Sequence, residues 1–136
     1  MAQGDHIRVN RGFYWHHGID CGDGTVIHLA GEPAQMASAV VERVPLNDFS
    51  LGGVVEIMMT PKAYAPDHVV ARAESRVGTA GLPGFRAYDL VNNNCEHFAH
   101  WCCAGIGASQ QVKIIGSFIG KAAAAFAAFV ILRRMP

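Results

Sequence analysis

The sequence predicts an α+β fold, a small antiparallel sheet packed with helices. Two observations lead there. Short β-rich runs punctuated by Gly, Pro and Asp occupy the first half, whereas helix-start signals and helical apolar spacing occupy the second. A third observation sets the scale: 136 residues, 51% of them hydrophobic and only 16% charged, suffice for one buried core and are too few for two.

The elements follow in order. Ile7 to Val9 reads as a short strand. Phe13 to Cys21 and Thr25 to Leu29 flank Gly22-Asp23-Gly24, and an Asp-Gly turn tolerates the positive φ angles of a tight hairpin, so the two runs are expected to pair antiparallel. Val40 to Val44, stopped by Pro45, and Val54 to Met59, stopped before Pro61, complete the sheet. Pro66-Asp67 opens a helix reaching Val77, with Val69, Val70, Ala73 and Val77 at helical spacing. A Gly- and Pro-marked loop covers Gly78 to Gly84, and Arg86 to Leu90 is extended or a short turn. Asn92-Asn93-Asn94 then supplies side chains that cap a helix starting at Cys95 and carrying Phe98, Trp101 and Cys102 toward Ile106.

Charge excludes one class of partner. Eleven Lys plus Arg balance eleven Asp plus Glu, so no global basic field points to nucleic acid. The cysteines are Cys21, Cys95, Cys102 and Cys103. Adjacent Cys102 and Cys103 would need two separate distant partners, and no apolar leader precedes Arg11, so the thiols are expected to be free in a reducing, cytoplasmic setting. His97, His100, Cys102 and Cys103 lack the spacing of a common structural zinc site and no Cys-x-x-Cys pair exists, so neither metal nor cofactor is expected.

The chemistry centres on Cys95. At a helix N-terminus, free N–H groups and aligned peptide dipoles favour a thiolate and can receive the oxyanion of a tetrahedral intermediate. A nucleophilic thiol needs a base and a group that orients the base. His16 and His28 flank the predicted turn at an even separation, which places both on one face of the hairpin. One imidazole can take the thiol proton while the other holds it in the right tautomer. His17 points to the other face, which makes His16 the preferred base. Glu96 and His97 turn away from the Cys95 face of the helix and are given structural roles; Cys102 is assigned to the core with Phe98, and Cys21 and Cys103 are inert.

Two strings in this order resemble a known family. Asn94-Cys95-Glu96-His97-Phe98 is similar to the NCEHF signature of the lecithin:retinol acyltransferase family, which includes the small phospholipase A/acyltransferases. Gly4-Asp5-His6-Ile7, and Tyr14-Trp15-His16 through Gly22-Asp23-Gly24 to Val26-Ile27-His28-Leu29, resemble that family's histidine box. The similarity runs with gaps from about Gly4 to Trp101. It implies a circularly permuted papain-like domain of the NlpC type, with Cys95 as nucleophile, His16 as base, His28 as the residue orienting it, and Tyr14 helping to line the oxyanion hole. A sheet tyrosine bonded at the rim is an equal reading of Tyr14. The sequence departs from the family where His17 replaces a usual Trp and Asp20-Cys21 replaces a more apolar pair. The implied reaction is attack of Cys95 on an acyl ester, commonly of a glycerophospholipid, followed by transfer of the acyl group to water, an amine or an alcohol.

The C-terminus divides from this domain. Residues 1–112 form the expected catalytic domain and 113–136 a hydrophobic helix. Ile114 to Leu132, at about 1.5 Å per residue, would span roughly 28 Å, close to a bilayer core. Lys121 near its centre opposes insertion, whereas Arg133-Arg134 suit a headgroup layer. The expectation is a membrane-associated acyltransferase or phospholipase. Two rival readings are a cysteine peptidase or amidase of the NlpC type and a non-catalytic module that perturbs or tethers membranes.

Overall fold

In the computed structural model, residues 1–31, 39–80 and 94–105 are described. Five antiparallel strands form one sheet: β1 His6–Asn10, β2 Trp15–Asp20, β3 Thr25–Ala30, β4 Val40–Pro45 and β5 Val55–Ile57, in the spatial order β4-β3-β2-β1-β5. Among the described residues, three helices accompany it: α1 Leu46–Ser50, α2 Pro66–Glu74 and α3 Asn94–Ala104. The α+β expectation with its small antiparallel sheet is met.

The sheet grows from the hairpin the sequence announced. Gly24 takes φ +88°, a conformation Cβ-bearing residues resist, and the chain reverses so that Asp20 opposes Val26, Ile19 opposes Ile27 and Gly18 opposes His28. This register sorts side chains by period-2 alternation. Ile19, Ile27, Leu29 and Val41 face α2 and α3, where they meet Val69, Ala73, Phe98, Ala99 and Cys102. Ile7, Val9 and Val26 face the other way and pack on Phe49 of α1. The sheet is thus covered on both faces, with the larger core beneath α2 and α3.

Several boundaries differ from the expectation. β2 starts at Trp15 rather than Phe13, and Phe13 stands wholly exposed on the turn, since Gly12 takes φ +95° there. α2 begins at Pro66, as expected for a residue with no N–H to satisfy, but ends at Glu74 rather than Val77. Arg76 and Val77 donate to carbonyls three residues back, and Gly78 at φ +84° turns the chain to bond Val41 on the edge strand. α1 was not anticipated: after Pro45 the chain makes five helical residues, whose first N–H donates to the Gly24 carbonyl. α3 stops at Ala104, with Gly105 in the left-handed region. The side chains of Asn92 to Asn94, the segment Arg86 to Leu90 and the C-terminal helix expected over Ile114 to Leu132 lie outside the described residues. Among those described, no helix is long and apolar enough to cross a membrane.

Candidate active site

His16 lies on β2 and His28 on β3, on the face that carries Phe49. Because His28 is directly opposite Gly18, His16 is its diagonal neighbour and must lean along the strand to reach it. Gly18 makes this possible: a Cβ there would stand 2.7 Å from Val26 Cγ1 and 2.9 Å from Phe49 Cε2, so a larger residue would displace the groups beneath both rings. His16 Nε2 and His28 Nδ1 are 2.6 Å apart and share a proton in a buried hydrogen bond. The Phe49 ring supports the pair, with centroids 5.3 Å from His16 and 5.8 Å from His28. Tyr14 closes one end, its ring edge-on to His16 at 6.2 Å.

Cys95 approaches the same strand from the other layer. It occupies the first turn of α3, and its Sγ lies 3.6 Å from the Trp15 carbonyl oxygen, to which the thiol donates. The His17 backbone N–H also points at the sulfur. The thiol therefore sits against the backbone on both sides of His16. The histidine pair is brought together directly, and the cysteine is brought against the backbone of the strand that carries His16.

Electrostatics set the resting protonation. Burial pushes the Cys95 thiol above its ordinary pKa, while N–H groups of His17, Glu96 and Cys95 itself pull the other way and are outweighed. The expected thiolate stabilisation at the helix start is therefore present but smaller than the desolvation that α3 and the sheet impose. His16 is pushed down to about 3, first by burial and then by the positive charge of His28 and Arg11. Burial likewise lowers His28, against the opposing pull of Glu42. All these shifts favour the uncharged forms, so at neutral pH the proton rests on sulfur and the imidazoles are neutral.

The other face of β2 holds a second buried set. His17 Nδ1 is 2.7 Å from His6 Nε2, and His6 Nδ1 is 2.5 Å from Thr60 Oγ1. His17 Nε2 stands 3.7 Å from Glu96, which also approaches His100 Nε2 at 3.5 Å. His17 thus points away from the His16 face, as expected, and Glu96 helps tie the first turn of α3 to the sheet. Cys21, Cys102 and Cys103 are free and buried in the core; burial raises Cys103 to about 12. Among the described residues, no group of three or more His, Cys, Asp or Glu side chains could hold a metal ion.

Sequence reasoning placed His17 on the other face and gave Glu96 a structural role, but missed Phe49, Glu42 and the meeting of His6 and His100 with those two residues. The odd offset of His17 from His16 was the signal for its face. The others depend on pairings between distant segments.

The family model for lecithin retinol acyltransferase matches residues 1–108. The chain belongs to the lecithin retinol acyltransferase family. Human phospholipase A and acyltransferase 3 is 33% identical over 127 residues, covering 81% of this chain and 75% of the relative. Human phospholipase A and acyltransferase 2 is also 33% identical, over 92% of this chain and 84% of its own length. Lecithin retinol acyltransferase of Rattus norvegicus is 27% identical, over 83% of this chain and 58% of the relative. For this member of the family, the matched stretch contains both the histidine pair and Cys95.

Proposed function

We propose that the chain is a thiol-dependent acyltransferase or phospholipase A-type hydrolase acting on acyl esters of lipids, with Cys95 as nucleophile, His16 as base and His28 as the residue that orients it. The observation carrying this reading is the buried His16–His28 pair, whose His16 lies on the strand against which the α3 thiol rests. The relatives' names, phospholipase A and acyltransferase, support the acyl-ester substrate class. The papain-like permuted architecture belongs to the same proposal.

The steps follow from the resting protonation. As an ester carbonyl displaces water around Sγ, His16 takes the thiol proton and the sulfur attacks the carbonyl carbon. Negative charge develops on the carbonyl oxygen, near N–H groups of the first turn of α3 and the Tyr14 rim. The C–O bond of the ester then breaks, the leaving alkoxide takes the proton from His16, and the acyl group remains on Cys95 as a thioester. Water, an amine or an alcohol attacks the thioester, giving its proton to His16, which returns it to the departing sulfur. A neutral resting pair suits this cycle, because a buried thiol stays protonated until a lipid ester arrives. The Ile114–Leu132 segment and the exposed Phe13 beside Tyr14 would keep such an enzyme at a lipid surface.

The test is turnover of phosphatidylcholine vesicles by the full chain, followed as released fatty acid and lysophospholipid. Cys95→Ala should abolish release and His16→Gln should lower it by about 10²–10⁴-fold, each with the fold retained. Wild-type rates in Cys95→Ala would overturn the thiol reading. Cleavage of a peptide amide with no action on lipid ester would favour the peptidase rival.

A further inference from the structure

The histidine pair ends in a carboxylate that no part of this mechanism has yet used. Glu42 on β4 is directly opposite His28 in the β3–β4 register, so the two side chains rise from the same face. Oε1 of Glu42 stands 3.4 Å from Nε2 of His28. That nitrogen is buried and has no hydrogen-bond partner among the described residues. We propose that Glu42 is a positioning residue for the reaction, fixing the tautomer of His28 that leaves His16 free to act as the base toward Cys95. The inference rests on the reading of Cys95 and His16 given above.

A neutral imidazole carries one proton on one of two nitrogens. To accept the thiol proton at Nδ1, His16 must keep its own proton on Nε2, which then donates across the 2.6 Å contact to Nδ1 of His28. His28 must then hold its proton on Nε2, where it faces the Glu42 carboxylate. In the opposite tautomer His28 donates from Nδ1 to His16, so His16 carries its proton on Nδ1 and cannot accept another. That arrangement also leaves a bare lone pair on His28 Nε2 against a negative oxygen. Glu42 thus disfavours the unproductive state and favours the productive one.

The same carboxylate acts when His16 becomes imidazolium. The thiol S–H bond breaks and an N–H bond forms on His16, while the protons on His16 Nε2 and His28 Nε2 stay in place beside the Glu42 carboxylate. Its negative charge offsets the new positive one through the His28 ring. The other charged or titratable groups near the pair are Arg11, which opposes protonation of both rings, Tyr14, edge-on to His16, and His17, which acts on His16 from the opposite face of β2. Phe49 contributes an apolar surface from α1. A buried carboxylate in such a line is worth about 10⁴-fold in kcat in the serine protease triad. The Glu42 side chain is 47% exposed, so water can replace part of its effect, and a loss of about tenfold is expected.

The experiment uses the full chain labelled with ¹⁵N-histidine, comparing wild type, Glu42→Gln and Glu42→Asp. A glutamine amide can either donate or accept, so it permits both His28 tautomers. Wild type should show His28 protonated on Nε2. Glu42→Gln should show a mixture, a kcat about tenfold lower with KM unchanged, and an acidic limb of the kcat/KM profile moved to lower pH. Glu42→Asp should recover part of the kcat. A Glu42→Gln protein with wild-type kcat and an unchanged His28 tautomer would overturn the proposal, provided His16→Gln is inactive. Should His16→Gln instead keep wild-type kcat, it is the underlying base assignment that fails.

Discussion

Lowering the pH from 7.5 to 5 should destabilise the fold far more than a surface-histidine protein of this size would tolerate. His16 and His17 are each only 3% exposed, and burial holds their pKa values at about 3 and about 4 against an ordinary 6.5. In the unfolded chain both rings protonate as the pH passes 6.5, but in the folded chain they do not. The unfolded state therefore binds more protons, and stability falls as the pH drops. Over the 1.5 pH units from 6.5 to 5, each ring costs ~2 kcal/mol at ~1.36 kcal/mol per unit, or ~4 kcal/mol for the two. His6 and His28, also lowered by burial, act in the same direction. Against a total of ~5–15 kcal/mol, and with a urea slope of ~2 kcal/mol/M, the unfolding midpoint should drop by about 2 M or more. The assay is urea unfolding followed by tryptophan fluorescence at both pH values, with His16→Gln as a control that should lose about half of the two-ring effect. A midpoint that moves by less than 0.3 M, or a His16→Gln protein with an undiminished pH dependence, would refute the reasoning.

Other expectations concern single positions. Gly18→Ala places a Cβ within 3 Å of Val26 and Phe49, so it should cost about 1–3 kcal/mol in urea unfolding and lower kcat; a fully stable, fully active variant would contradict the packing account. Phe49→Ala removes a fully buried ring from beneath both histidines and should cost about 3–5 kcal/mol, measured by calorimetry. His16→Gln should reduce kcat by about 10²–10⁴-fold, whereas His17→Gln, on the other face of β2, should reduce it by no more than about tenfold. Equal losses in both would remove the basis for choosing His16.

What the sequence made legible was local. Asp23-Gly24 specified a tight hairpin, the hairpin specified an even offset between partners, and that offset placed His16 and His28 on one face. Pro66 and the Val69, Val70, Ala73 spacing likewise fixed α2. The less legible parts depend on segments distant in the chain. α1 is five residues long, too short to show a helical period, so Phe49 had no visible place under the histidines. Glu42 meets His28 only because β4 pairs with β3 across an intervening segment whose length does not determine register. His6 on β1 and His100 on α3 meet around the odd-numbered face of β2 for the same reason. The thiol of Cys95 shows the limit most plainly: the helix start that stabilises its anion is local, whereas the desolvation that outweighs it comes from the packed layers around it.

The covalent intermediate tests the central claim most directly. The full chain, mixed with phosphatidylcholine vesicles and acid-quenched within the first turnovers, should gain the mass of one acyl chain, and peptide mapping should place it on Cys95. The mass gain should be absent from Cys95→Ala and should disappear from wild type on adding hydroxylamine, which cleaves thioesters. Steady turnover of the lipid with no acyl mass on any residue, or an adduct that persists in Cys95→Ala, would contradict the account.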